Sequence, residues 1–394
     1  MKEFSANSIL GIAGSGAMGA GIAQVAASNG YKVILYDVNE MALAKAKMNL
    51  EKSLDNLIVK QKITAEKATA IKENIYFTND KNKLKPVHLF IEAIIENIEI
   101  KKKLFAEIES ILSDDAIMAS NTSSLSIASI ASACARPERV IGIHFFNPAQ
   151  LMPLVEIIPA VQTDLKIVPE IIKLLTTWKK ITVQAKDTPG FIVNRIARPF
   201  YSESIRILEE GIADMVTIDW AMKEVGKFKM GPFELMDYIG HDVNYVVTET
   251  IFKEFFYDPR YKPSFSQKRL LEANRLGKKS GIGFYNYAEG AEILLPNKDL
   301  ELANKIVERV LAMLMNEAID ALYLNIATAT DIDLAMTKGV NYPKGLLAWA
   351  DEWGAEKVLQ ILQNLQSDYG EDRYRPSFLL KKKVLEHSKF MNQN

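Results

Sequence analysis

A doubly wound α/β sheet followed by an all-helical region is the fold class this sequence predicts, and three observations predict it. Short β-branched runs alternate with helix-patterned stretches through residues 1–186. A glycine-rich turn, Gly14-Ser15-Gly16-Ala17-Met18-Gly19, stands between the first such run and the first helix-patterned stretch. After Asp187-Thr188-Pro189-Gly190 the strand signals almost vanish.

Taken in order, the predicted strands are residues 8–12, 32–36, 88–91, 116–120, 140–144 and 181–184, short and mostly apolar runs. The alternation predicts parallel strands joined by helical crossovers. Between the second and third strands, residues 39–72 form a charged amphipathic stretch too long for one crossover, and a helical hairpin is expected there. Pro189 marks a helix start, since proline suits the first helical position. The expected domains are therefore 1–186, a dinucleotide-type sheet, then 187–295 and 296–394, both helical.

The helical part is divided by an internal repeat. A shift of 114 residues lays 203–237 over 317–351 without a gap, with 11 identities in 35 positions, including Glu203 with Glu317, Asp219 with Asp333 and Gly231 with Gly345. A shift of 113 then pairs Arg260-Tyr261-Lys262-Pro263-Ser264-Phe265 with Arg373-Tyr374-Arg375-Pro376-Ser377-Phe378. Two tandem copies of one helical unit, packed on each other, are expected. The second copy lacks the Lys278–Tyr287 type of ending and is expected to be structural.

Composition narrows the function classes. With 48 basic and 49 acidic side chains there is no global field to gather nucleic acid or an anionic membrane. No apolar run approaches the ~20 residues that span a bilayer, and residues 1–7 carry no export pattern. Cys134 is the only cysteine, so an intrachain disulfide is excluded and a cytoplasmic protein is expected. The four histidines, His88, His144, His241 and His387, are scattered without zinc-ligand spacing, so no metal is expected.

The glycine turn has the context that a dinucleotide fingerprint requires, strand before and helix after. Gly14 makes the tight turn, Gly16 lets backbone approach a pyrophosphate, and Gly19 lets helix and strand pack closely, with Ala17 and Met18 opening the helix whose N-terminus faces the phosphates. Asp37 ends the second strand, where a carboxylate accepts hydrogen bonds from ribose hydroxyls and repels a 2′-phosphate. NAD is therefore expected over NADP.

Chemistry is expected at the strand ends that follow. Ser120-Asn121-Thr122-Ser123-Ser124-Leu125 leaves the fourth predicted strand and offers small hydroxyls. His144-Phe145-Phe146-Asn147-Pro148 leaves the fifth, and Glu156, in the extended run 154–157, can return a carboxylate to the imidazole. Asn194 falls in the first turns of the helix assigned to Pro189. An imidazole with an ordinary pKa near ~6.5 suits removal of an alcohol proton at neutral pH.

On Gly14–Gly19, Glu92-Ala93-Ile94-Ile95-Glu96, residues 120–125, 144–148 and 187–195, Gly231-Pro232-Phe233-Glu234-Leu235 and 278–287, the sequence resembles the L-3-hydroxyacyl-CoA dehydrogenase family from Ile9 to about Tyr287. The resemblance implies a Rossmann-type domain and NAD-dependent oxidation of the 3-hydroxyl of an acyl-coenzyme A thioester. It implies His144 as the catalytic acid/base, Glu156 as its partner, and Ser123 and Asn194 as substrate-orienting groups. It places Glu96, Lys101, Ser123, Asn147 and Lys279 near the nicotinamide half of NAD, and Ser53 and Lys60 of the helical hairpin near coenzyme A. The tandem second copy is similar to longer members acting on 3-hydroxybutyryl or 3-hydroxyadipyl esters. The chain opens at the nucleotide-binding strand with no hydratase half, so a single activity is expected. A monomer, or a dimer through a surface other than the first repeat, is expected, with one NAD site per chain. The alternatives are a sugar-acid dehydrogenase of gulonate type, a crystallin-like NAD-binding protein without catalysis, and a nucleotide-sensing regulator.

Overall fold

The computed structural model describes residues 4, 5 and 7–391, and residues 1–3 and 6 of the N-terminal lead lie outside them. The chain divides into two compact units, Met1–Thr188 and Pro189–Asn394.

The first unit is one eight-stranded sheet: β1 (Ile9–Ala13), β2 (Lys32–Tyr36), β3 (Ile75–Thr78), β4 (Leu89–Glu92), β5 (Ile117–Ser120), β6 (Val140–Phe145), β7 (Leu154–Pro159) and β8 (Ile181–Gln184). Their order across the sheet is β3-β2-β1-β4-β5-β6-β7-β8. Chain order reverses between β1 and β4, so the switch point where such sheets bind ligands lies at the ends of those two strands. Helices α1 (Ala17–Ser28), α2 (Glu40–Val59), α3 (Ala65–Glu73), α4 (Ile98–Glu109), α5 (Ile127–Ala131) and α6 (Ile167–Thr177) connect the strands. The central strands are apolar on both faces: Leu10, Ile12, Leu89, Phe90 and Ile91 are fully buried, as strands covered on both sides must be.

The expected helical hairpin is α2 and α3. Asn39 caps α2 by accepting from Met41 and Ala42 amides, and Thr64 caps α3 through Lys67. The buried residues of α2, Leu43, Ala46, Leu50 and Leu54, recur at helical spacing, while its other faces carry charged residues together with the exposed Met41, Met48 and Val59.

Three features differ from the sequence reading. β3 follows α3 after Asn74 alone, with no turn motif to announce it, yet Ile75 and its neighbours pair parallel with β2 at the sheet edge. The sheet is also not all parallel: β7 runs antiparallel to β6, because residues 146–153 are too few for a crossover helix. β8 then follows α6 and pairs parallel with β7. Finally, no helix begins at Pro189. Gly190 (φ 71°) and Phe191 (φ 47°) take left-handed conformations, so the first helix starts at Val193. The sole cysteine, Cys134, is buried, and burial pushes its thiol up to about 12, which removes it as a nucleophile at neutral pH.

The second unit is helical: α7 (Val193–Ile196), α8 (Arg198–Glu209), α9 (Met215–Glu224), α10 (Pro232–Ile239), α11 (His241–Glu254) and α12 (Phe265–Glu272), then α13 (Leu300–Tyr323), α14 (Ala329–Gly339), α15 (Leu346–Trp353), α16 (Ala355–Tyr369) and α17 (Phe378–Glu386). The sequence identities noted above have a physical basis. Asp219 accepts from the Phe233 and Glu234 amides at 2.9 Å each, capping α10 from a distance. Asp333 does the same for α15 through Leu347 at 2.9 Å and Ala348 at 3.0 Å. A Cβ at Gly231 or at Gly345 would strike the aspartate it faces, so glycine is required at both. Near the C-terminus a similar contact recurs: Asp351 holds the Phe390 and Met391 amides as Asp237 holds those of Phe284 and Tyr285. The lysines of 278–287 have no counterpart there.

Candidate active site

Four features lie at the C-terminal ends of β1, β2, β4, β5 and β6. The first is the glycine turn. Gly14 has φ 98°, and a Cβ there would strike the Ala93 carbonyl; one at Gly19 would strike the Gly14 carbonyl. A Cβ at Gly16 would meet nothing within 4 Å. That open position lies against the N-terminus of α1, which has no side-chain cap, so its first amides are left for a ligand.

Asp37 is fixed to the same turn. Its Oδ2 accepts from the Ser15 amide at 2.8 Å and hydroxyl at 2.7 Å, and its Oδ1 accepts from the Asn39 amide at 3.0 Å. Beside it opens a cleft of about 750 Å³ lined by Gly14, Gly16, Ala17, Met18, Asp37, Val38, Ile94, Ile95 and Ile100 among others. A carboxylate at the rim of an apolar slot, next to free helix amides, suits a ribose, a flat base and a pyrophosphate together. The residues present thus fit a dinucleotide.

The third feature is a carboxylate and hydroxyl network. Glu92 and Lys101, both buried, pair at 2.5 Å. Ser120 Oγ donates to Glu92 at 2.6 Å, and Lys101 also reaches Glu96 at 3.2 Å. Glu96 accepts from Thr122 Oγ1 at 2.5 Å and from the Ser123 amide at 3.0 Å. Burial alone would raise the Glu96 pKa, but Lys101 and the bonds from Thr122 and Ser123 outweigh it and hold the carboxyl below its ordinary value. Glu96 is therefore an anion that fixes the Ser123 loop, with Lys101 beneath it as positioning charge. Glu92, Ser120 and Thr122 were not singled out by sequence reasoning as site residues. The signal available was the Glu92-Ala93-Ile94-Ile95-Glu96 motif, one of the segments on which the family resemblance rests.

Fourth, His144 and Glu156 sit directly opposite each other in the β6–β7 register, and His144 Nδ1 lies 2.6 Å from Glu156 Oε2. Cross-strand neighbours on one face are held within a few ångströms by the sheet itself. Glu156 is fully buried and His144 is 5% exposed. The Phe146 ring stands 4.6 Å from the imidazole. With Nδ1 bound to a carboxylate, Nε2 is the nitrogen suited to exchange a proton with a ligand.

The remaining predicted residues are more dispersed. Asn147 and Ser53 both line a second cavity of about 520 Å³, together with Gly16, Lys45, Asn49 and Gln150. Lys45, Asn49 and Ser53 recur every four residues on α2 and form one face; the first two were missed, though that spacing was readable. Lys60 is the C-terminal cap residue of α2 and does not line this cavity. In the second unit, Asn194 is half-buried on α7, and Lys279 sits in a 3₁₀ turn with its ammonium 2.5 Å from Asp242. Among the described residues no group of three metal-ligating side chains occurs, and no helix is long and apolar enough to cross a membrane.

Known proteins share this arrangement of sequence and fold. The family description "3-hydroxyacyl-CoA dehydrogenase, NAD binding domain" matches residues 9–188, and "3-hydroxyacyl-CoA dehydrogenase, C-terminal domain" matches 190–287 and again 306–392. A 3-hydroxyadipyl-CoA dehydrogenase of Escherichia coli is 36% identical over 95% of this chain and 97% of its own. The human mitochondrial hydroxyacyl-coenzyme A dehydrogenase is 42% identical over 70% of this chain and 90% of its own. A crystal structure of 3-hydroxybutyryl-CoA dehydrogenase from Escherichia coli K12 superposes with a TM-score of 0.92 at 35% identity, covering 96% of this chain and 98% of that one.

Proposed function

The chain belongs to the 3-hydroxyacyl-CoA dehydrogenase family and is an NAD-dependent oxidoreductase that interconverts L-3-hydroxyacyl-CoA and 3-ketoacyl-CoA, and we propose that His144 is its acid/base. The observation that carries this assignment is the 2.6 Å contact between His144 Nδ1 and buried Glu156. Glu156 holds the tautomer with the proton on Nδ1 and stabilises the imidazolium formed when Nε2 takes the hydroxyl proton. Ser123, with its loop tied to Glu96, and Asn194 orient the reacting oxygen as neutral hydrogen-bonding groups that do not compete for its proton. Bound NAD supplies the hydride acceptor. Gly14, Gly16, Ala17, Met18 and Gly19 hold its pyrophosphate, Asp37 its adenine ribose, and Glu96, Lys101, Asn147 and Lys279 serve the nicotinamide half. Ser53, with Lys45 and Asn49, lines the cavity assigned to coenzyme A, and Lys60, the C-cap of α2 outside that cavity, is assigned to the same ligand.

Short-chain or dicarboxylyl esters are the proposed substrates, as the names of the Escherichia coli relatives suggest. The sugar-acid and crystallin-like readings are not favoured beside relatives named for acyl-CoA over nearly the whole chain. Turnover of a panel of 3-ketoacyl-CoA esters, followed by NADH consumption, tests the reading; inertness toward every ester would overturn it.

Cofactor choice gives a separate prediction. Asp37→Ser removes the carboxylate and should narrow the preference for NADH over NADPH by about tenfold or more. The ratio of kcat/KM with the two cofactors measures it, and an unchanged ratio would mean that the ribose is read elsewhere.

We further propose a cytoplasmic protein whose second unit is a tandem duplication, the two copies covering each other's apolar faces as two subunits would. A monomer, or a dimer through another surface, then follows. Helix α13, with Val310, Leu311, Leu314 and Met315 fully buried, packs against α8 and α9. Truncation after Leu295 should uncover that face and cause self-association or aggregation, visible by light scattering. A soluble monomeric truncated chain would be the contrary result.

A further inference from the structure

Six arginines are buried among the described residues, and five of them meet a carboxylate. Arg139 has Glu109 at 3.3 Å, Arg195 has Glu317 at 2.8 Å, Arg260 has Asp320 at 3.1 Å, Arg309 has Glu203 at 3.0 Å and Arg373 has Glu371 at 3.4 Å. Arg198, the first residue of α8 and 4% exposed, has none. Its Nη1 donates to Thr248 Oγ1 at 3.0 Å, its guanidinium lies 5.0 Å from the Tyr201 ring centroid, and its Nε has no hydrogen-bond partner. Tyr342, whose ring centroid lies 5.8 Å from that of Phe200, two residues after Arg198 on α8, is 6% exposed, and its hydroxyl is likewise buried without a partner.

A guanidinium does not shed its charge in a protein, so burial without an anion carries a lasting electrostatic penalty unless a ligand supplies the anion. Burial already presses the Arg198 pKa below its ordinary value, and no carboxylate opposes that pressure. Two unmatched donor groups, an Nε–H and a phenol O–H, suit the two oxygens of a carboxylate. The position one repeat later is Ala312, so Arg198 is not part of the charge pairing that both copies share.

Arg198 also follows Asn194 by four residues across the α7–α8 junction, where Ala197 keeps a right-handed backbone, so the two stand on the order of 6 Å apart along the chain. Three carbon–carbon bonds, the separation of C3 from the terminal carboxyl carbon of a six-carbon diacid, span roughly 4 Å, and the length of an arginine side chain accommodates the remainder. We propose that Arg198, with Tyr342 and Thr248, binds the free terminal carboxylate of a dicarboxylyl-CoA substrate whose 3-oxygen is oriented by Asn194. The inference rests on the 3-hydroxyacyl-CoA reading and narrows it to diacid esters of about six carbons.

The test compares 3-oxoadipyl-CoA with 3-oxohexanoyl-CoA, equal in chain length and differing in the terminal carboxylate, on the purified full chain with NADH. The diacid ester should be favoured in kcat/KM by on the order of 10²-fold or more. Arg198→Met should collapse that ratio toward one, Arg198→Lys should retain part of it, and Tyr342→Phe should lower it several-fold. Equal efficiencies on the unaltered chain overturn the proposal without any variant, and so does a ratio that survives Arg198→Met. Acetoacetyl-CoA in the same assay separates two failures: turnover of it with no diacid preference removes this inference alone, whereas no turnover of any ester removes the reading beneath it as well.

Discussion

Replacement of His144 by glutamine should lower turnover of a 3-ketoacyl-CoA ester by on the order of 10³-fold or more, with NADH affinity close to that of the unaltered chain. Glutamine keeps a polar side chain of similar reach but has no group that accepts and returns a proton near neutral pH. The imidazole stands on β6, whereas the turn and carboxylate assigned to the adenine half stand at β1 and β2, so the two functions are separable. Fluorescence titration with NADH and steady-state rates with acetoacetyl-CoA give both quantities. Near-normal turnover would remove His144 from the mechanism, and a large loss of NADH affinity would show that the change disturbs the turn instead. Glu156→Gln should cost less, on the order of 10²-fold, because the base remains while its orienting anion is lost.

The site was legible in the sequence where local chemistry announces itself. The glycine turn needs particular backbone conformations and close approaches, so its residues cannot be disguised, and Asp37 follows at the end of the next strand. His144 and Glu156 were readable as candidates, and the short connection 146–153 allows the chain to turn back, but their contact is a product of the β6–β7 register. The buried Lys101 was harder still: a lysine on a charged helix reads as solvated until the sheet places Glu92 beneath it. The same limit explains β3, whose four residues are strand only because β2 offers an open edge. The helix misplaced at Pro189 failed for a different reason, since the left-handed Phe191 is imposed by the surrounding fold and not by its own preference.

The proposed repeat carries the second large prediction, through two buried charge clusters of matching composition. Glu317, in the second proposed copy, accepts from Arg195 Nε at 2.8 Å and from the Tyr261 hydroxyl, and Arg260 stands 3.6 Å away; all three belong to the first. Glu203, its counterpart in the first, accepts from Arg309 Nε at 3.0 Å and from the Tyr374 hydroxyl at 3.0 Å, with Arg373 at 3.7 Å; all three belong to the second. Each glutamate thus meets the equivalent trio of the other proposed copy, the reciprocity that a two-fold interface within one chain would have. Burial raises the Glu317 pKa, but Arg195, Arg260 and the Tyr261 hydroxyl outweigh it, and the net position is below the ordinary 4.5. A depressed carboxyl contributes stability that is present above its unfolded pKa and lost as pH falls through the folded one, so the contribution is complete at pH 7 and fades below about 4.5. Glu317→Gln leaves two buried guanidinium groups with Asp320 as their remaining carboxylate and should cost about 3–5 kcal/mol at pH 7. Urea titration of the helical circular-dichroism signal at pH 7 and pH 4 measures both the loss and its shrinkage in acid. The exposed pair of Glu301 and Lys305 on α13 is the control, and its Glu301→Gln change should leave the transition where it was. An undisturbed midpoint in Glu317→Gln would mean that the apolar contacts of α13 alone hold the two copies together, with the buried charges contributing no net stability.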